Sequence, residues 1–317
     1  MTNLTVIMSV LNGEDYLGEA VSSILNQEYD SFQFLIVNNA STDKTAAILE
    51  GFAAKDNRIQ ILTNEETVPL VVARERAIAL AESPWVALMD ADDIAEPKRL
   101  ARQMEVIELE GDTIGALGTF AHQINDRGDR VGVVRTGPTS RLQFEKAMAK
   151  NETVILLDPS TVIHRSTFLA VGGYRSEYTP ASDLDLWYRI AETGREIRAL
   201  PEYLMRYRVH SGSLSVSQTM LQRARCHFIN HNMRRRRQGL PERTLEEFEA
   251  WARPRYRLRL SWYINDLGMS YFKRAGLARC RGDHMALVGN LCLALILKPS
   301  MLWNRLLPHV REGRTSG

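Results

Sequence analysis

The stretch "LTVIMSVLNGEDYLGEAVSSILNQEYDSFQFLIV", Leu4 to Val37, switches its hydrophobic period twice. Leu4–Val10 is a short apolar, β-branched run, and Asn12-Gly13 follows as a turn. Leu17, Ala20, Val21, Ile24 and Leu25 then recur at i, i+3, i+4, i+7 and i+8, which predicts a helix. Phe32–Val37 returns to a strand pattern. The alternation continues outward. "ASTDKT" offers N-cap residues for a helix through Ile48, Leu49 and Phe52, and "RIQILTN" predicts a third strand. Val68–Glu82 predicts a third helix, "WVALMD" a fourth strand, and Pro97 the opening of a helix that ends near Gly111. Strand and helix in this order imply βαβ units and a mostly parallel sheet flanked by helices. Ligands bind beyond the carboxyl ends of such strands. Ser9, Asn38, Asn39 and the cluster Asp90, Asp92 and Asp93 all lie there.

Beyond Gly111 the alternation breaks. Ile114–Asn125 and Val131–Thr136, joined by "DRGD", predict a hairpin. Arg141–Lys150 predicts a helix, and Ser160–His164 a strand before a helix ending at Gly172-Gly173. "ASDLDLWYRIAETG" opens a helix with Asp183 and Asp185 in its first turn, and Glu196–His210 reads as extended chain. The polar stretch "SGSLSVSQ" is the predicted boundary between a domain over 1–215 and a basic helical extension over 216–317. "RRRRQGLPERT", Arg234–Thr244, is expected to be a loop between helices.

With 44% hydrophobic and 25% charged residues in 317, the chain has the composition of a soluble globular protein. Cys226, Cys280 and Cys292 form no C-x-x-C pair, which argues against a disulfide framework and for a reducing compartment. The first residues do not look like a signal peptide. The formal charge of +2 conceals an asymmetry: residues 1–200 carry 19 Lys+Arg against 30 Asp+Glu, and residues 201–317 carry 21 against 8. An acidic front joined to a basic back suggests two tasks.

Asp93 and Glu96 can be read as acids at a helix start, favoured by the macrodipole. Asp90, directly after "VALM", fits that reading poorly. Carboxylates at i and i+2 can instead present oxygens to one hard divalent cation, which in an open sheet holds a phosphate-bearing ligand. G-x-x-x-x-G-K-[ST], G-x-G-x-x-G and G-x-S-x-G are all absent, which argues against a P-loop, a dinucleotide fold and a nucleophile elbow.

"VIMSVLNGEDYLGEAVSSILNQEYDSFQFLIVNNASTDKT", followed by "DADD" and "SDLDLWYR", resembles the family 2 inverting glycosyltransferases of the GT-A fold, from the first strand to about Ser215. The resemblance implies a nucleotide-diphosphate sugar donor, Mn2+ or Mg2+ as cofactor, and a D-x-D motif at Asp90 and Asp92. It implies Asp92 as metal ligand, with Asp90 near the ribose or the metal and His210, in "YRVHSGSLS", as a further residue near the metal or diphosphate, although a satisfied structural histidine accounts equally well for His210. Ser9 and Arg74 match donor-side positions, although a solvated helix face accounts equally well for Arg74. Asp183 matches the base that takes the acceptor's proton. Where the family carries two acids, this chain has Asn38-Asn39. An amide accepts and also donates, so uracil, thymine and guanine all stay open as the donor's base. Asp185 reads as a helix-start acid.

Met285–Leu297 is apolar over thirteen positions, too short to span a bilayer. It reads as a buried helix, or as a helix lying in a membrane interface with Trp303, flanked by Arg279, Arg281, Lys298 and Arg305. Cys226, His227 and His231 lie among arginines, which disfavours a metal there, and no nucleic-acid partner is expected. The expectation is a cytoplasmic transferase, peripheral on the inner face of a membrane, that extends a cell-surface glycan or lipid-linked acceptor. A sugar nucleotidyltransferase and a non-enzymatic membrane adaptor with a decayed sugar site are the rivals.

Overall fold

The computed structural model describes residues 2–111, 113–210, 212 and 217–300. They fall into two compact units: one takes in the chain to Ile124 and Gly128–Arg208, the other Asn125–Arg127 and the chain from Val209.

The first unit is built on β1 (Leu4–Val10), β2 (Phe32–Asn38), β3 (Ile59–Thr63) and β4 (Trp85–Asp90), parallel in the order β3-β2-β1-β4. Helices α1 (Leu17–Leu25), α2 (Thr45–Ala53) and α3 (Leu70–Leu80) connect them. The sheet then continues with β8 (Val162–His164), β6 (Ile114–Ile124), β9 (Glu196–Arg208) and the two-residue β5 (Ile94–Ala95). β8 runs antiparallel to β4 and β6, whereas β6 and β9 run parallel. The predicted hairpin forms as β6 with β7 (Arg130–Val134).

Period-2 alternation divides the sheet into two buried faces. Leu4, Val6 and Met8 of β1 join one apolar cluster with α1 and α4 (Arg99–Glu110); Ile7 joins the other with α3 and, after α5 (Arg141–Ala149) and α6 (Arg165–Ala170), α7 (Ser182–Glu192). Ser9 and Asp90, in register on β1 and β4, therefore share the α3–α7 face, while Asn38 shares the opposite face with Val10. α4 begins at Arg99, with Lys98 as its cap, so neither Asp93 nor Glu96 stands in a first helical turn. Asp93 is 1% exposed in the turn before β5, and Glu96 pairs with Arg206 of β9 at 2.7 Å. The helix-start reading of both acids is thereby corrected. A two-residue strand pinned to β9 displaces the helix, and local spacing carries no sign of it.

The second unit is helical: α8 (Thr219–Arg237), α9 (Leu245–Ala252), α10 (Tyr256–Arg281) and α11 (His284–Leu297). The four arginines expected in a loop end α8 instead, where cations suit the carboxyl end of the dipole. Thr244 and Glu247 close a capping box that opens α9. A cluster of rings holds the unit: His227 stacks on Trp262 at 4.4 Å, and His231 packs tilted against Trp251 at 4.3 Å. His227 also meets Asp266 at 2.8 Å. Gly282, at φ 72°, ends α10 in the left-handed conformation, and Asp283 caps α11 by accepting from the Ala286 amide at 2.9 Å. Gly268 lets the two helices of this hairpin approach, since a Cβ there would meet Lys298 and Leu297 at 3.0 and 3.3 Å.

Candidate active site

Three carboxylates meet at the end of β4. Ligand oxygens of Asp90, Asp92 and Asp93 lie within 4.8 Å of one another. Such proximity is costly unless cations offset it. Three arginines, each 5% exposed or less, do so. Arg74 of α3 reaches Asp90 at 2.6 Å and also binds Asp158. It is no solvated helix face, because the polar groups that receive it come from the ends of distant elements. Arg99 donates to the Leu88 carbonyl at 2.8 Å, and its charge acts on Asp93 and Asp90. Burial lowers the Arg99 pKa to about 9. Arg208 ends β9; its amide donates to Asp93 Oδ1 and its Nε to the Asp92 carbonyl, both at 2.8 Å. Its guanidinium continues to Glu19 at 2.6 Å, over the Tyr16 ring.

Two oxygens in this region stand out as buried and without a hydrogen-bond partner: Asp93 Oδ2 and Ser9 Oγ. Burial, with Asp92 and Asp90 beside it, drives the Asp93 carboxyl well above its ordinary pKa. Burial raises Asp90 to about 6, against the pull of Arg74. An orphaned carboxylate oxygen next to two further carboxylates is a donor set of hard oxygen ligands, suited to Mg2+ or Mn2+.

Asp183, in the first turn of α7, belongs to the same electrostatic network. Burial and then the charge of Asp158 raise its pKa to about 7, while the Leu184 amide and Arg74 oppose the shift. Tyr174 donates to Asp158 at 3.2 Å. Asp158 thus links the arginine that holds Asp90 to the field at Asp183. Asp185, two residues on, is different. It stands in the first turn of α7, as expected of a helix-start acid, and is 0% exposed and locked between Arg175 and Arg189 in a structural ion pair.

The Asn38-Asn39 pair divides its work. Asn39 holds the 64–68 loop: its Nδ2 donates to the Val68 carbonyl at 2.8 Å, and its Oδ1 accepts from the Val68 amide at 3.1 Å and Asn64 Nδ2 at 2.8 Å. Both lone pairs of that oxygen are thereby engaged. Asn38 accepts from the Ser41 amide at 3.1 Å, and its Nδ2 has no partner among the described residues. His210 belongs to the second unit, in the segment that starts at Val209.

The structure therefore gathers Ser9, Arg74, Asp90 and Asp92 at one end of the sheet and ties Asp183 to them through Asp158. Sequence reading missed Asp158, Tyr174, Arg99 and Arg208. Asp158 and Tyr174 lie in a loop region without periodicity, and Arg208 in "YRVH" gave no sign of a partner far back in the chain.

The model of glycosyl transferase family 2 matches residues 5–170, just over half of the chain. The chain belongs to this family. It is a glycosyltransferase. The O-antigen biosynthesis glycosyltransferase WbnJ of Escherichia coli is 29% identical over 68% of this chain and 82% of its own length. The putative teichuronic acid biosynthesis glycosyltransferase TuaG of Bacillus subtilis is 27% identical over 68% of this chain and 84% of its own. Among solved structures, a Pyrobaculum calidifontis mannosyltransferase in complex with GDP-Man and Mn2+ superposes with a TM-score of 0.58 and 18% identity. It covers 95% of this chain and 83% of its own. TarS of S. aureus in complex with UDP gives 0.55 and 18%, over 96% and 92%. These likenesses establish the GT-A fold, followed here by C-terminal helices. The sequence relatives include enzymes of cell-surface polysaccharide synthesis. Membership in the family argues against the nucleotidyltransferase rival, and the retained Asp90, Asp92 and Asp183 argue against the adaptor.

Proposed function

We propose that the chain is a metal-dependent, inverting glycosyltransferase that moves a sugar from a nucleotide-diphosphate sugar to a hydroxyl of a glycan or lipid-linked acceptor. Cell-surface polysaccharide synthesis at the inner face of a membrane is its setting. The observation that carries this is the three-carboxylate cluster beyond the parallel strands, connected through Arg74 and Asp158 to a second, separately tuned carboxyl at Asp183.

Asp92, with Asp90 and the orphaned oxygen of Asp93, would hold Mn2+ or Mg2+. Such an ion offsets the charge that develops on the departing diphosphate. Arg74 orients Asp90 and supplies positive charge beside it. Ser9 offers its unpartnered hydroxyl on the same face, and Asn38 offers a free amide donor to a base carbonyl. The acceptor hydroxyl attacks the anomeric carbon as the bond to the diphosphate oxygen breaks, and the electron pair leaves with the nucleoside diphosphate. Asp183 takes the hydroxyl proton. A base with a pKa of about 7 is half ionised at neutral pH and accepts that proton readily. The two donors named in the neighbouring structures, GDP-Man and UDP-GlcNAc, carry different bases.

The test is calorimetry of UDP, GDP and dTDP with and without Mn2+, on wild type and Asp92→Ala. Binding of one nucleotide only with metal, lost in the variant, supports the reading and identifies the base. Metal-independent binding of equal strength in both proteins refutes the metal assignment.

A further inference from the structure

α11 is apolar except for His284 and for Asn290, whose amide donates back to the Ala286 carbonyl at 2.7 Å. Its sequence from Met285 to Leu297 contains no charge, yet in the structure only Ala294 of the whole helix is buried. Met285, Val288, Cys292 and Ile296 recur at i, i+3, i+7 and i+11 on the opposite side and are exposed; Met285 is 88% and Ile296 73% accessible. The buried-helix expectation is corrected: packing against α10 uses one side of α11 and leaves an uncharged face outward. α10 repeats the pattern. Tyr256, Leu260, Tyr263 and Ile264, at i, i+4, i+7 and i+8, are all exposed, with exposed Arg257 and Arg259 beside them.

A helix hydrophobic on every side belongs in a protein core or a membrane. No helix among the described residues is long and apolar enough to cross a bilayer. Charge identifies the occupant of this face. Residues 250–300 carry nine Lys+Arg and two Asp+Glu. Asp266 is engaged by Arg223 and His227, and Asp283 caps α11, so neither acid offsets the exposed arginines. Apolar stripes edged by unneutralised arginines match an interface in which hydrocarbon meets anionic head groups, with the arginine stems buried and their heads among phosphates. We infer that the α10–α11 hairpin is the docking face of the protein on an anionic lipid surface, lying in the interface plane. Trp303 and Arg305, assigned to the same interface from sequence, lie outside the described residues. This deepens the membrane setting given above; sugar transfer itself does not depend on it.

The experiment is sedimentation of the full chain with phosphatidylglycerol-containing vesicles and with pure phosphatidylcholine vesicles, at low and high salt. Nucleotide calorimetry and analytical ultracentrifugation are run on the same samples. The wild type is expected to bind the anionic vesicles, to lose most binding at high salt, and to bind neutral vesicles weakly. Val288→Asp/Ile296→Asp and Arg257→Glu/Arg259→Glu should each lower partitioning roughly tenfold or more. Both variants should keep wild-type nucleotide binding, which separates this inference from the transferase reading. Absence of wild-type binding to anionic vesicles overturns the inference. So does a dimer that Val288→Asp/Ile296→Asp dissociates, which would assign the face to a second copy, and so does vesicle binding that neither variant changes.

Discussion

Arg74, Arg99 and Arg208 are 5%, 0% and 2% exposed, and each is received by a specific carboxylate or carbonyl. Arg257 and Arg259 of the helical unit, by contrast, stand exposed beside apolar side chains. The chain thus uses one residue type in two ways. Buried guanidinium groups fix the geometry of carboxylates, because a charge removed from water must be satisfied by partners at defined positions. Exposed ones contribute a field that tolerates movement and that salt screens. The first unit should therefore respond sharply to single substitutions, and the second only to several at once.

The largest effect is expected at Asp183. Asp183→Asn should lower turnover by about 10²–10⁴-fold with nucleotide affinity retained, measured by steady-state kinetics beside calorimetry. The wild-type rate should rise with pH through about 7, because only the ionised carboxylate accepts the proton. Asp158→Asn removes a negative charge that raises Asp183, so the acidic limb should move to lower pH; an unmoved limb would break the proposed link. Removing the centre of the Arg175–Asp185–Arg189 group is the next test. Asp185→Asn should cost about 3–5 kcal/mol in denaturant unfolding, since it strands buried guanidinium charge. Asp92→Ala should lower turnover roughly 10²-fold and abolish metal-dependent nucleotide binding.

A smaller effect should follow Asn39→Asp. A carboxylate cannot donate to the Val68 carbonyl, so the loop at 64–68 loses one buried hydrogen bond and should become destabilised by about 1–2 kcal/mol. If that variant instead gains stability, the amide clamp is misassigned. The smallest change is expected at Arg141–Glu145, an i,i+4 pair with both side chains more than half exposed. Glu145→Gln should leave the denaturant midpoint of unfolding unchanged within measurement error, because solvent screens this pair.

Local rules carried much of this molecule. The period switches in Leu4–Val37 named the strands and helices, and the alternation named a parallel sheet. The position of Ser9, Asn38 and Asp90 at strand ends then followed from chain direction alone. The signal failed where an element owed its existence to a distant partner. β5 is two residues long and exists because β9 pairs with it. Asp93 looked like a helix-start acid because its hydrogen-bond donor, the Arg208 amide, is 115 positions away. α11 looked like a core helix because composition does not say which side a neighbour will cover.

The sequence by itself determined most of the element types, the family, the acidic strand end, the candidate base and the split between an acidic front and a basic back. Those are properties of spacing and composition within a few turns of chain. Only the tertiary structure decided which charges neutralise one another. Arg74 joins Asp90 to Asp158, which lies 84 positions beyond the arginine, and the fields at Asp90, Asp93 and Asp183 depend on burial and on that arrangement. Coulomb energies and desolvation act through space, and distance in space between such residues is set by the fold and not by their separation along the chain.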